Sequence, residues 1–309
     1  MKTIVDLHNV LHVCFSVAQS QAIKQAGVFT EEDIGLFYHK VLDSVISLCS
    51  NYGEIIFCNE GRGSLDWRRS IFPEYKKNRK HDDSYHIFID NLKTTEELIS
   101  YFPCKIIEVK GAEGDDVMYG LATYFADNDE DVTVITSDRD MVQLLNYSDK
   151  IKVFNPIRKE FREKQPNLIL EKAIVGDSSD NIPGVPRIGE KTFAKMVLDK
   201  NLMTEKTKGF ENDISKYVQI IDLSKAPEFI KPEAIVQYNA VEFNEFNPQK
   251  IEAFMLDYGM VEHLNRWQSD ISNINIAIYE NAVREKQQFS VEQTKLADIE
   301  EMLTMINGI

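Results

Sequence analysis

Residues 111–118 read GAEGDDVM. Glu113, Asp115 and Asp116 crowd together there, after the apolar run Ile106, Ile107, Val109 and before a helical pattern of Val117, Met118, Leu121, Ala122, Tyr124 and Phe125. The spacing predicts a strand, a short loop and a helix, with the acids where the strand ends. Open α/β sheets carry their chemistry at the carboxyl ends of strands. Carboxylates this close repel one another, and a hard cation is the direct way to keep them ionised. The plainer alternative is a solvated acidic helix start, because Asp and Glu favour a first helical turn. Recurrence of acids at other strand ends separates the two.

Acids do recur. Asp6 closes the short apolar run Thr3-Ile4-Val5, and Glu60 follows a predicted strand at Glu54 to Cys58. Lys105 to Val109 is the third strand, leading into GAEGDDVM. The alternating, β-branched Asp131 to Thr136 is the fourth, and Ser137-Asp138-Arg139-Asp140 follows it. Ile151 to Phe154 is predicted as a fifth, edge strand. Helical patterns lie between, including one from about Glu31 to Ser50, so the expected fold is α/β with a mainly parallel sheet covered on both faces. Beyond Asn155 helices dominate, at about 167–175, 189–200, 212–222, 248–259 and 290–307. The 240s and Ser269 to Asn273 read as loops, and the last twenty residues as a lone amphipathic helix. This divides the chain into an α/β domain, 1–165, and a helical domain, 166–309.

With 309 residues, 43% hydrophobic, the chain can bury one large core or two smaller ones. A net charge of −15 argues against a protein that coats nucleic acid generally. It leaves room for a nucleic-acid enzyme with a local basic patch. Cys14, Cys49, Cys58 and Cys104 lack CxxC spacing and sit in apolar surroundings, which predicts reduced core thiols. No apolar run reaches spanning length and Asp6 interrupts the N-terminal one, so neither membrane anchor nor signal peptide is expected and the cytoplasm is the expected compartment.

Residues 67–80, WRRSIFPEYKKNRK, contrast with that acidity. Arg68, Arg69, Lys76, Lys77, Arg79 and Lys80 face the single acid Glu74, with Trp67, Phe72 and Tyr75 between them. Cations interleaved with aromatic faces suit a phosphate backbone and an unstacked base, although a charge run is more often a solvated face. Residues 176–191, GDSSDNIPGVPRIGEK, place a Pro183-Gly184 turn ahead of Gly189, whose following helix start offers free N–H groups to a phosphate. A structural connector is the alternative there. His8 and His12 are four apart but lack a third ligand at zincin spacing, and read as polar packing positions.

The candidate ligands are therefore Asp6, Glu60, Glu113, Asp115, Asp116, Asp138, Asp140, Asp177 and Asp180. All offer oxygen, which fits Mg²⁺, with Mn²⁺ as a substitute, better than zinc. So many acids suggest two cations, the arrangement that hydrolyses phosphodiesters. No serine elbow or Cys–His signature suggests a covalent route.

Asp6 after the first strand, WRRSIFPEYKKNRK, GAEGDDVM, TSDRDMVQL and GDSSDNIPGVPRIGEKT stand in the order seen in the flap endonuclease superfamily of 5′ nucleases. Residues 1–200 resemble that family, in particular the ribonuclease H type of its bacteriophage branch. The resemblance implies a PIN-like α/β nuclease core, a helical arch at about 65–100 and a C-terminal helix-three-turn-helix domain that holds duplex DNA. It implies Asp115 as the principal ligand of one Mg²⁺, completed by Asp6, Glu60, Glu113, Asp138 and Asp140. Asp116, Asp177 and Asp180 would shape the second site. Lys76 and Arg79 match cations that meet the scissile phosphate. Arg68, Arg69, Tyr75, Lys77 and Lys80 would bind nucleic acid around them, with Lys76 and Arg79 sharing one helical face. Gly184, Gly189 and Lys191 match the backbone-binding hairpin, with Arg187 a further nucleic-acid contact and K⁺ a further ligand there.

Two departures stand out. Glu60 replaces the usual Asp, and Arg187 stands where glycine is usual. The implied activity is Mg²⁺-dependent 5′-3′ exonuclease and flap endonuclease cleavage of RNA–DNA hybrids and of nicked or flapped duplexes. Primer removal in phage lagging-strand replication is the implied role, in a bacterial host's cytoplasm. A single-stranded-DNA-binding protein and a sliding clamp are the implied partners of a monomer. Two other readings compete: a junction-binding relative without catalysis, and a phosphatase using Asp6 as nucleophile. The latter normally needs an acid two residues on, where this chain has His8.

Overall fold

The computed structural model describes residues 2–52, 54–79 and 82–307, with the backbone alone at residue 285 and residues 288–307. Strand β1 (Lys2–Asp6) runs straight into α1 (Leu7–Ala26), because Asp6 caps the helix by accepting the Asn9 amide at 2.9 Å. A 3₁₀ turn leads into α2 (Ile34–Asn51), followed by β2 (Ile55–Glu60). Three short helices come next, α3 (Asp66–Ile71), α4 (Asp83–Asp90) and α5 (Leu92–Ile99), then β3 (Cys104–Val109) and α6 (Gly114–Asp127). Strand β4 (Val132–Ile135), a 3₁₀ turn (Asp140–Asn146), β5 (Ile151–Asn155) and β6 (Glu160–Phe161) complete the sheet. The helices α7 (Leu168–Val175), α8 (Glu190–Leu198), α9 (Lys200–Thr207), α10 (Glu211–Ile221), α11 (Ile230–Ala240), α12 (Pro248–Asp257) and α13 (Val261–Asn307) follow.

Among the described residues the strand order is β3-β2-β1-β4-β5-β6, parallel except for β5 with β6. Parallel pairing sends β1, β2, β3 and β4 to one edge, so the acids that follow them collect there. Gly61 shows how tightly that edge is built. A Cβ at this position would lie 1.9 Å from the Val109 carbonyl oxygen, so only glycine allows the two strand ends to meet.

One face of the sheet is covered by α1, α2, α5, α12 and α13, around Phe15, Phe37, Tyr38, Leu42, Phe57 and Trp267. The other is covered by α6, α11 and the Asp140–Asn146 turn, around Ile56, Val109, Met118, Leu121, Val134 and Ala234. Parallel strands are apolar on both sides and need both covers. The division at residue 165 therefore does not describe the packing. The stretch from α7 to α10 makes its own small cores, whereas α11, α12 and the first half of α13 return to the sheet.

Three other expectations are corrected. Strand β5 is not an edge, because the two-residue β6 pairs antiparallel with it, and two residues carry no readable period. Helices α9 and α11 were not expected. Ser269 to Asn273 lies inside α13, where Trp267, Ile271 and Ile274 bury one face and packing overrides weak propensity. The side chains of the expected C-terminal amphipathic helix lie outside the described residues. All four cysteines are buried and free, and no helix among the described residues is long and apolar enough to cross a membrane.

Candidate metal centre

The acids fall into two groups at the carboxyl edge. Asp6, Glu60, Asp115 and Asp138 form the first. Burial, reinforced by Asp138 and Glu60, pushes the Asp6 carboxyl up to about 7. Burial also raises Asp115 well above the usual range, with Asp138 and Asp6 adding to the effect. Local hydrogen bonds set the orientations. The Thr136 hydroxyl donates to Asp6 Oδ2 at 3.0 Å and accepts the Asp138 amide at 3.0 Å. The Asp138 carboxylate accepts the Asp140 amide at 2.7 Å, and Asn9 Oδ1 receives the Ser137 amide and hydroxyl at 2.9 Å.

The second group is Asp140, Asp177 and Asp180, which offer carboxylate oxygens all within 4.8 Å of one another. Lys172 of α7 enters this group, pairing with Asp140 and, at 2.7 Å, with Asp177. Burial raises Asp140 to about 6 despite that lysine, helped by Asp138 and Asp180. Burial opposes the Asp177 charge, but Lys172 and the Ser179 hydroxyl and amide outweigh it and hold the group at about 2.

Residues 74–78 lie over the second group. The Lys76 amide donates to the Asp180 carbonyl at 3.1 Å, Asn78 Nδ2 to the Ser178 carbonyl at 2.6 Å, and Asn181 Nδ2 to the Glu74 carbonyl at 2.7 Å. These bonds hold Lys76 at φ +54, a left-handed backbone uncommon outside glycine. Its ammonium pairs with Glu113 and lies 3.8 Å from Asp180.

The donor chemistry fits hard divalent cations. Nine carboxyl groups face Arg68, Lys76 and Lys172, and Asp6, Asp115, Asp140 and Asp180 are raised chiefly by burial, with neighbouring carboxylates adding to it.

A family model described as the N-terminal, resolvase-like domain of 5′-3′ exonucleases matches residues 2–174. The chain belongs to the 5′-3′ exonuclease family. A 5′-3′ exonuclease of Bacillus subtilis is 36% identical over 156 residues, 46% of this chain and 51% of the relative. DNA polymerase I of Caldicellulosiruptor bescii is 32% identical over 170 residues, 50% of this chain and 19% of the polymerase. The chain thus spans about half the length of the first relative and about a fifth of the second. Among solved structures, the T5 D15 protein co-crystallised with metal ions aligns with a TM-score of 0.57 at 17% identity, covering 77% of this chain and 98% of that one. The zinc-bound T5 5′-exonuclease aligns at 0.52 and 18% identity, covering 90% and 100%. At such identities the likeness shows the fold alone.

Within this 5′-3′ exonuclease fold, several expected roles change. Asp116 is 2% exposed and its carboxylate takes Arg68 at 2.6 and 2.8 Å, the Trp67 indole at 3.3 Å and the Glu113 amide at 3.1 Å. It is thereby removed from the second ligand group, where Asp140 stands instead. Arg68, also 2% exposed, is Asp116's partner and offers nothing to DNA. Tyr75 is buried with its hydroxyl on Glu113 at 3.1 Å, so it is no base-stacking platform. Residues 73–78 are turns, so Lys76 and Arg79 share no helical face. Burial opposes the Glu113 charge, but the charges of Lys76 and Arg68 and a hydrogen bond from the Tyr75 hydroxyl hold it below its usual range.

Arg69 is half-buried, donating to the Tyr75 carbonyl at 3.1 Å, while Lys77 and Arg79 are exposed. Lys80 lies outside the described residues. Gly184 is buried at φ +66, with a Cβ site 2.5 Å from the Gly176 nitrogen, so it shapes the turn against α7. Arg187, Gly189 and Lys191 are exposed, and Arg187 adopts φ +67, the backbone that explains why glycine is usual there. His12 stacks on Phe88 at 4.4 Å, with His8 5.4 Å from it, in the packing role expected. Sequence reading missed Lys172, Thr136, Asn9 and Gln143. A lysine in the last helical turn before GDSSD was the one available signal, and it was easily passed over because lysines ordinarily face solvent.

Proposed function

We propose that the chain is a Mg²⁺-dependent 5′-3′ exonuclease and flap endonuclease acting on nicked or flapped duplex DNA and on RNA–DNA hybrids, in the removal of RNA primers during phage replication. The observation that carries this is the convergence of two carboxylate groups at one sheet edge beneath a basic segment tied to the GDSSDN loop. Two bound divalent cations, Mg²⁺ or Mn²⁺, would activate a water nucleophile and neutralise the leaving oxygen. Asp6, Glu60, Asp115 and Asp138 would hold one, and Asp140, Asp177 and Asp180 the other. Lys76 brings positive charge to the scissile phosphate, with exposed Arg79 and Lys77 and half-buried Arg69 guiding the strand toward it. Arg187, Lys191 and the open N-terminus of α8 at Gly189 hold downstream phosphates without reading sequence. A K⁺ ion at that hairpin belongs to the same proposal. A single-stranded-DNA-binding protein or a sliding clamp would meet a monomer through the helices beyond residue 200, where Ile276 and Tyr279 are exposed.

The test uses 5′-labelled flap, nicked and RNA–DNA substrates with Mg²⁺, Mn²⁺ or EDTA. Short 5′ products with either metal and none with EDTA are expected. Binding without cleavage at saturating Mn²⁺ would leave a binding protein, not an enzyme.

The acid chemistry also sets a pH dependence. A carboxyl raised on folding keeps a proton that the unfolded chain has lost. Between about pH 4 and 7, Asp6 and Asp140 therefore make the cation-free fold less stable as pH rises. Cation binding requires them ionised. The rise in Tm caused by Mg²⁺ should thus be small at pH 5.5 and large at pH 7.5, and Asp6→Asn should flatten the difference. Equal Mg²⁺ shifts at both pH values in the unmodified protein would show that these acids do not hold the ion.

A further inference from the structure

Arg68 is buried too deeply to meet a phosphate, yet it joins three parts of the molecule. Its Nη1 and Nη2 form a fork on Asp116 at 2.8 and 2.6 Å, and Nη1 also reaches Glu113 Oε2 at 2.6 Å. Its Nε donates to the Ile220 carbonyl at 2.9 Å. Trp67 covers the guanidinium, its ring centre 4.2 Å from Cζ. Ile220 lies in the last turn of α10, where carbonyls lack partners within the helix and carry partial negative charge.

The neighbouring carbonyl is tied down as well. Ile221 accepts from Gln143 Nε2 at 3.0 Å, while Gln143 Oε1 accepts the Leu223 amide at 3.1 Å. Gln143 sits in the 3₁₀ turn that begins at Asp140. The end of α10 is therefore fastened to both acid-bearing turns, through Arg68 to Glu113 and through Gln143 to the turn of Asp140. On its other side α10 packs on α7, with Tyr217, Ile220 and Ile221 against Ala173 and Ile182. Helix α7 carries Lys172 and leads directly into Asp177.

We propose that Arg68 is a positioning residue that couples the seating of duplex DNA on the α7–α10 helices to the setting of the α6 acids. The inference rests on the nuclease reading above and adds to it a path between substrate grip and metal centre. A point charge would neutralise Glu113 and Asp116 as well as a guanidinium does. The planar fork adds geometry, because it fixes Asp116 against the Glu113 amide and so fixes where Asp115, between them, points. A lysine cannot hold Asp116 in two places and the Ile220 carbonyl at once.

A merely structural ion pair is the competing account. Two variants separate them: Arg68→Lys, which keeps the charge, and Arg68→Met with Asp116→Asn, which removes both charges and leaves no unpaired acid. Each would be compared with the unmodified protein in thermal midpoint, affinity for a flap substrate, single-turnover cleavage rate, and Mn²⁺ affinity by EPR. The Mn²⁺ titration is run with and without a duplex lacking a cleavable 5′ end, correcting for ions bound by duplex alone.

Both variants should stay folded and bind substrate nearly as well, with the cleavage rate at saturating enzyme lowered about tenfold. Duplex should tighten Mn²⁺ binding by about fivefold in the unmodified protein and leave it unchanged in both variants. Unmodified rates and an unmodified duplex effect on Mn²⁺ in the variants would reduce Arg68 to a fold-stabilising pair. If the unmodified protein cleaves no substrate, the nuclease reading fails. The Mn²⁺ titration then still decides the coupling, which stands if Arg68→Lys abolishes the duplex effect and falls otherwise.

Discussion

Asp115→Asn should lower single-turnover cleavage of a 5′-flap substrate by about a thousandfold, while binding of branched DNA is kept or strengthened. Asp115 follows the first residue of α6, its carboxyl raised by burial and then by the charges of Asp138 and Asp6, with Lys76 opposing them. It stands between the acids of β1 and β4 and the lysine that leans over the site. Asn keeps the size and the helix start but removes one negative charge and a strong ligand. The polyanionic substrate then meets less repulsion, so binding and chemistry move in opposite directions. The measurement is a pair: a rate at saturating enzyme in Mg²⁺, and a Kd in Ca²⁺ or EDTA. Near-normal cleavage would remove Asp115 from the centre, and weakened binding with an unchanged rate would place it in substrate capture.

The second large effect is expected at Lys76. Truncation to Ala should slow the chemical step by about a hundredfold with a smaller change in affinity, whereas Lys77→Ala should alter affinity alone. Both lysines belong to one basic run, but their surroundings differ. Lys76 is buried, fixed in a left-handed backbone by the Asp180 carbonyl, and paired with Glu113 beside Asp180. Lys77 is exposed and pairs with Glu74 at 2.9 Å on the surface, an interaction that contributes little. A cation poised between the two acid groups is placed to take up charge that grows on a phosphate in the transition state. Lys76→Arg, which keeps the charge, should recover part of the rate. Equal losses for Lys76→Ala and Lys77→Ala, confined to binding and removed by salt, would make the run a general DNA-attracting surface.

Much of this site is legible in the chain alone because parallel sheets leave a strong imprint. Their buried strands are short apolar runs, and direction is shared, so Asp6, Glu60, Glu113, Asp115 and Asp138 must emerge at one edge once the strands are recognised. Composition likewise marks residues 67–80 as unlike their surroundings. Which acid meets which cation is another matter. Arg68 and Glu113 are 45 residues apart, and Arg68 and the Ile220 carbonyl 152 apart, so no local period relates them. Of the cations that look alike as a run, Arg68 is turned inward to neutralise Asp116, Lys76 is buried on Glu113, and Lys77 and Arg79 are left in solvent. Asp140 joins Asp177 and Asp180, not Asp138, because the turn after β4 carries it toward α7. Local chemistry settled which residues could hold charge at the sheet edge. Only the packing of α3, α7 and α10 around that edge decided which of them keep it free, since a buried charge is stable only beside a partner that the fold itself brings near.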